Sequence, residues 1–442
     1  MIILSIETSC DDTCISILKI RPVKSSLREV FTKGEQFNRV KKQKAKILSN
    51  IVSSQVEIHK KYGGVYPTMA KREHQRNLVP VLKKALEEAE MLENYKLQIT
   101  KNKQITNYKL QTLKEILKRE PGLFKNLKKF LEKYQKPEID FIAVTIGPGL
   151  EPCLWTGVNF AKALAYLWNL KTIPVNHIEA HIFANFLSKI RESSKIQISK
   201  PKQITNYKLQ IPKQMEFPAV CLVVSGGHTQ LILMRDFGKY EILGETRDDA
   251  AGECFDKTAR ILGLGYPGGP AIAEQSRQWK LVETRSLSIL QRAGLCNLKL
   301  PRPMIYSRDY DFSFSGLKTA VLYKVKYQKS IIHNLKSKQA MANEIQQAVI
   351  DVLIKKTIKS AKDYKAKTIM LGGGVAANEE LRKQFISTIN NQQSTINFLV
   401  PPKNFCTDNA AMLGITAFFH TKESNHWKDI KVNANLRIET HN

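Results

Sequence analysis

Two stretches of the chain set apolar runs around a short polar turn. Residues 2–7 and 13–18 flank Thr8-Ser9-Cys10-Asp11-Asp12, and residues 219–224 and 229–233 flank Ser225-Gly226-Gly227-His228. Apolar, β-rich runs on either side of a small polar turn predict a hairpin at each place. About half the chain separates them, which suggests two related α/β lobes. A third apolar run, 368–371, opens into Gly372-Gly373-Gly374-Val375-Ala376-Ala377-Asn378 and a helical stretch. Helical periodicity marks 78–92, with apolar residues at 78, 79, 82, 85, 86 and 89, and 343–358, with apolar residues at 345, 348, 349, 352 and 353. Residues 157–170 are more uniformly apolar, as a helix buried on most sides requires.

Length and composition refine this picture little, but charge changes it. The 442 residues suit two or three domains, and 43% hydrophobic with 25% charged residues is an ordinary globular balance. The net charge of +29 is not ordinary and favours a polyanionic partner, nucleic acid or an acidic membrane surface. Residues 21–61 and 91–137 each carry a net +8. Lys103-Gln104-Ile105-Thr106-Asn107-Tyr108-Lys109-Leu110-Gln111 recurs identically at 202–210, with a partial copy at 94–100. The copies are too irregularly spaced for a solenoid and read as insertions in surface loops, either repeat expansion or an RNA-binding arm. The seven cysteines include no C-x-x-C, the N-terminus has no basic leader, and no apolar run is long enough to span a bilayer. A reduced, soluble, cytoplasmic protein is expected.

Several patterns carry chemistry. His177-Ile178-Glu179-Ala180-His181 sets two imidazoles one helical turn apart, which is how a helix offers two nitrogens to one metal; a merely structural pair has the same spacing. It is not H-E-x-x-H, because the glutamate sits in the middle. Ser225-Gly226-Gly227-His228 is either an ordinary hairpin turn or a backbone approach to phosphate or carboxylate. Gly372-Gly373-Gly374 makes a second such approach, with Asn378 placed to cap a helix or touch a ligand. P-loop and dinucleotide fingerprints are both absent. Glu7, Asp11 and Asp12 crowd acids at the first turn, as functional sites do. Asp256 and Lys257 follow an acid-rich stretch at 248–253. Asp408, before an apolar helix, reads as an N-cap.

Together these residues resemble the tRNA threonylcarbamoyladenosine transferase family, once called the glycoprotease or O-sialoglycoprotein endopeptidase family. The resemblance rests on 6–13, 177–181, 222–230, 250–258, 266–270, 311–319, 373–378 and 405–409, in order from residue 2 to about 420. It implies an α/β, two-lobed actin/Hsp70/sugar-kinase-like (ASKHA) fold with a cleft between lobes, plus basic surface insertions. The N-terminal lobe would run over 1–214, with insertions at about 21–50, 94–136 and 191–214. The C-terminal lobe would run over 215–420 and a tail over 421–442. The implied reaction moves threonylcarbamoyl from threonylcarbamoyl-adenylate to the N6 amine of the adenosine 3′ to the anticodon, in tRNAs reading codons that begin with adenine.

The resemblance places metal ligands at His177, His181 and Asp408, a donor set suited to Fe(II) ahead of Zn(II). It places substrate-binding positions at Val223, Val224, Ser225, Gly226, Gly227, Asp256, Gly269 and Asn378. Asp11 and Asp12 are the candidate catalytic proton acceptors. Implied partners are tRNA, an inactive paralogous subunit and a small ATPase subunit, with no membrane. The chain departs from the family's pattern at Asn176, where bacterial relatives often carry a histidine, at 151–154, and in a tail without Arg-Pro-Arg-Trp. Two rivals from other classes are a metallopeptidase and an ATP-binding scaffold.

Overall fold

The computed structural model describes residues 1–21, 44–95, 107–189, 207–209, 215–283, 298–327, 335–392 and 395–438. Of the expected 191–214 insertion only 207–209 fall within these residues, and most of the 21–50 insertion lies outside them, its end at 44–50 being strand. The chain divides into two units, one of 1–55, 65–213 and 408–437, the other of 56–64, 214–407 and 438–442.

The first unit is built on a seven-stranded mixed sheet. Its strands are β1 (Ile2–Glu7), β2 (Asp12–Arg21), β3 (Lys44–Ser54), β4 (Phe141–Gly147), β5 (Lys171–Asn176), β6 (Leu187–Lys189) and β7 (Tyr207–Leu209), in the order β5-β4-β1-β2-β3-β7-β6. β1 and β2 form the expected antiparallel pair, with Glu7 opposite Cys14 and Ile3 opposite Leu18. β1, β4 and β5 run parallel, and their near-continuous apolar runs fit strands covered on both faces. The cover includes α1 (Pro67–Glu88), α2 (Asn107–Ile116), α3 (Pro121–Lys133), α4 (Glu151–Trp168) and α5 (His177–Phe183). α1 starts well before the expected 78, because Ala70 and His74 are also buried; α4 likewise starts six residues before 157.

The second unit carries a five-stranded sheet in the order β10-β9-β8-β11-β12. Its strands are β8 (Ala219–Val224), β9 (Thr229–Asp236), β10 (Lys239–Glu245), β11 (Thr368–Gly372) and β12 (Asn397–Leu399). The helices are α6 (Ala251–Ile261), α7 (Gly268–Glu283), α8 (Ser315–Tyr327), α9 (Leu335–Asp363) and α10 (Glu379–Asn391). β8 and β9 form the second expected hairpin, and β11 lies parallel to β8.

Two expectations are corrected here. Within the expected 94–136 insertion, the described residues 107–133 are not a surface loop: Leu113, Leu117, Leu123, Leu127, Phe130 and Leu131 of α2, α3 and their linker are buried in the first unit's core. Their apolar residues recur at helical spacing among many lysines, so a reading weighted by charge passes over them. The second lobe does not run to 420, and 421–438 is not a detached tail. α11 (Ala410–Phe419) belongs to the first unit, where Gly414 lies against Ser5 and Leu18. Beyond it, Asn425 bridges to Thr172, the Trp427 ring lies edge-on to Tyr166 at 5.4 Å, and Asn433 N donates to Ile146 O.

Candidate metal centre

The helix that carries the two histidines is short, buried throughout and well capped. Asn176 Oδ1 accepts from the backbone N–H groups of Ile178 (2.8 Å) and Glu179 (3.2 Å), which satisfies two donors otherwise orphaned at the start of α5. A histidine there could not cap in this way as readily. One turn on, the imidazoles of His177 and His181 meet edge-on, with centroids 4.6 Å apart and planes at 80°.

Asp408 completes the cluster. Its Oδ1 lies 3.5 Å from His177 Nε2 and 3.2 Å from His181 Nε2, and one ligand atom from each of the three residues falls within 4.8 Å of the others. Asp408 is not the N-cap the sequence suggested. Asn409 takes that role, its side chain accepting from Met412 N at 3.1 Å, which leaves the neighbouring carboxylate for the histidines. Cys14 Sγ contacts Asp408 O at 3.6 Å and so ties this segment to β2.

Behind the ligands stands a carboxylate that the sequence marked only as part of an acidic turn. Glu7 is fully buried at the end of β1, and its Oε2 lies 3.0 Å from His177 Nδ1. A carboxylate only accepts, so Nδ1 carries the hydrogen and the Nε2 edge faces Asp408 and His181. Thr145 Oγ1 donates to Glu7 Oε2 (2.6 Å) and Ser9 N donates to Oε1 (2.5 Å), which fixes the carboxylate in turn. Burial opposes charge on His177, but Glu7 and Asp408 hold its pKa up at about 9. Burial lowers that of His181, and both of its ring nitrogens are buried without a hydrogen-bond partner. A buried imidazole left so, with a carboxylate and a second imidazole within ligand distance, fits a divalent metal. Glu179 does not face this cluster with a free carboxylate, since it pairs with His420 Nε2 at 3.0 Å; the metallopeptidase reading loses its base.

The first turn is held from two sides. Gly157 of α4 has no side chain because a Cβ would stand 2.1 Å from Thr8 Oγ1, which itself donates to Cys153 O. On the other side, His74 of α1 bridges Thr13 Oγ1 (2.8 Å) and Cys10 O (3.0 Å). Nothing in the sequence marked His74, which sits within the polar first half of α1. On this turn Asp12 is largely buried, its Oδ1 has no hydrogen-bond partner, and burial together with the Asp408 and Asp11 charges pushes its pKa up to about 7.

The remaining candidate residues lie in the second unit. Val223 and Val224 are buried strand residues, so only their backbone is available to a ligand. Ser225 Oγ accepts from His228 N, and Gly226 and Gly227 face open space where a Cβ would stand. Gly373, at φ +84°, passes so close to Val224 O that a Cβ would stand 2.3 Å from it, and Gly252 N donates to Ser225 O. Asp256 Oδ1 accepts from Gly268 N at 2.6 Å, beside Gly269, which is also open. Asn378 caps α10 and donates to Gln346 Oε1. Successive contacts thus join the glycine turn to α6 and Gly373, and Asp256 to Gly268. Lys257 is committed to Asp249 and Glu253.

The model of the family described as "TsaD: tRNA N6-adenosine threonylcarbamoyltransferase" matches residues 46–97, 123–195 and 203–415. A tRNA N6-adenosine threonylcarbamoyltransferase of Syntrophomonas wolfei subsp. wolfei is 38% identical over 419 residues, 95% of this chain and 92% of that protein. One of Persephonella marina is 36% identical over 441 residues, 99% of this chain and 95% of that protein. One of Thermosipho africanus is 38% identical, covering 95% of this chain and 94% of that protein.

Proposed function

The chain belongs to the tRNA N6-adenosine threonylcarbamoyltransferase family, and from that premise we propose that it forms threonylcarbamoyladenosine in tRNA. The donor is threonylcarbamoyl-adenylate, and the acceptor is the N6 amine of the adenosine 3′ to the anticodon, in tRNAs reading codons that begin with adenine. The observation that carries this reading is 36–38% identity to named transferases over nearly the whole length of both chains.

His177, His181 and Asp408 would hold one divalent metal, Fe(II) or Zn(II), since two imidazoles and a carboxylate suit either. When bound, the metal would supply Lewis acidity toward the carbonyl of the threonylcarbamoyl group. The chain's own residues do the rest. Glu7 holds His177 in the tautomer that ligation needs, and Asn176 fixes the start of the helix carrying both imidazoles. The amine nitrogen bonds to the carbamoyl carbon, the bond from that carbon to the phosphate oxygen breaks, and AMP departs. Asp12, with a pKa near neutrality, takes the proton the amine loses, with Asp11 beside it as the alternative acceptor. In the second unit the N–H groups of Gly226 and Gly227 would meet the phosphate, Asp256 the ribose hydroxyls and the Asn378 loop the adenine.

An inactive paralogous subunit and a small ATPase subunit are the proposed protein partners, and the cytoplasm the proposed site of action. Among the described residues, no helix is long and apolar enough to cross a membrane. The test is mass spectrometry of nucleosides from unmodified tRNA incubated with the protein, its partner subunits, metal and premade threonylcarbamoyl-adenylate. Threonylcarbamoyladenosine at the adenosine 3′ to the anticodon is the expected product. Its absence, with the adenylate intact at the end, would overturn the reading.

A further inference from the structure

The second unit contains a groove of about 770 Å³ that none of the chemistry above uses. Its floor is apolar, from Ile305, Ile354 and Ile358. One wall is a face of α9, where Lys355, Lys359 and Lys362 recur at i, i+4 and i+7 and so project from the same side of the helix. Tyr306 stands at the edge, 81% exposed, with Lys355 Nζ 4.0 Å from its ring centroid.

The charges in the groove do not cancel. Asp351 is committed to Arg302 Nε (3.0 Å) and to Gln347, and Asp363 accepts from Tyr310 OH (2.6 Å). Lys359 Nζ donates to the carbonyl of Arg308 and, among the described residues, has no carboxylate partner. Among the described residues, Lys355 and Lys362 make no ion pair either. Three lysines therefore line one wall beside an aromatic face that a monomer would ordinarily bury or dispense with.

We propose that this groove is a docking site for a single-stranded stretch of the tRNA substrate, with an unstacked base on Tyr306 and successive phosphates along Lys355, Lys359 and Lys362. Cations tracking a backbone beside an exposed aromatic ring are the combination that holds unpaired RNA without reading its sequence. An apolar floor takes the face of a base, and the +29 net charge of the chain favours the same polyanion. The proposal rests on the tRNA reading above and adds where the RNA is gripped.

The experiment measures tRNA affinity by fluorescence anisotropy across a salt series of about 50–200 mM, for the full chain with its partner subunits. Tyr306→Ala should weaken binding about tenfold, and Tyr306→Trp should restore it. Lys355→Ala/Lys362→Ala should reduce the slope of log affinity against log salt by about 1.5, because each phosphate left without its lysine removes about 0.7–0.9. In the transfer assay both variants should raise KM for tRNA and leave kcat at saturating tRNA unchanged. Unchanged affinity and slope in both variants, with the wild type binding tRNA, would overturn the groove alone. If the wild type itself neither bound tRNA nor modified it, the tRNA reading would fall first. An unlabelled single-stranded oligonucleotide should compete for the groove and a blunt RNA duplex should not; the reverse order also overturns the proposal.

Discussion

A single hydrogen bond decides what Glu7 is for. Because its carboxylate accepts from His177 Nδ1, Glu7→Gln keeps the shape but removes the charge that favours a ligating tautomer. Metal affinity should fall about 10–100-fold, read by competition with a chelator. Asp408 and Asn409 make a sharper contrast. Asp408→Ala should abolish metal binding and leave the melting temperature of the metal-free protein nearly unchanged. Asn409→Ala should cost about 1 kcal/mol of stability through removal of the cap and leave metal content intact. Residue spacing made the histidine pair legible in the sequence. It could not choose between adjacent Asp408 and Asn409 as cap, because both side chains can accept from the next turn. Asp12 carries a prediction in pH. Its pKa lies at about 7 against an ordinary 3.8, so between those values the folded chain holds the proton more tightly than the unfolded one. Its contribution to stability is full below about pH 4 and is lost as pH rises through about 7. In the metal-free protein Asp12→Asn should therefore match the wild type at about pH 4 and melt higher at about pH 8; in the metal-loaded protein the same change should sharply reduce transfer activity.

At the scale of elements, the two hairpins and the strand at 368–371 were legible, and the other strands and the helix limits were not. The hairpins at 2–18 and 219–233 follow from apolar runs around a polar turn, a signal independent of distant contacts. α9 extends eight residues before the expected 343, over a stretch where Ser337 and Gln339 are buried. Gln339 donates to Gln278 and Gln346 to Ser276, so these polar side chains satisfy each other inside the fold and read as surface in a hydrophobicity pattern. The same blindness hid α2 and α3 among their lysines. Leu127→Ala should cost about 2–5 kcal/mol, seen as a large drop in denaturant midpoint, and deleting 94–136 should leave the first unit unable to fold. A loop insertion would tolerate both changes.

For the molecule as a whole, the proposed acyl-adenylate donor predicts how energy enters the reaction. The chain has no P-loop, and an acyl-adenylate already carries the driving force for transfer. Given premade threonylcarbamoyl-adenylate, tRNA, metal and its partner subunits, the protein should complete one turnover without ATP. A strict ATP requirement for that first turnover, found by rapid-quench analysis, would replace transfer with an ATP-driven mechanism. Composition favoured a polyanionic partner without choosing between nucleic acid and an acidic membrane surface. It could not locate the surface proposed to meet that partner, because only the fold sets Tyr306 and the apolar residues beside Lys355, Lys359 and Lys362.

The return of 408–437 to the first unit sets a clock on biosynthesis. His181 and Asp408 stand more than two hundred residues apart, with nearly all of the second unit translated between them. At about 5–20 residues per second, the ribosome leaves a two-histidine half-site for about 10–45 s before the carboxylate is made. During that time β1 and β2 also lack α11. Loading of the proposed metal would therefore wait for Asp408, and a ribosome-arrested chain stopped before Asp408 should emerge metal-free.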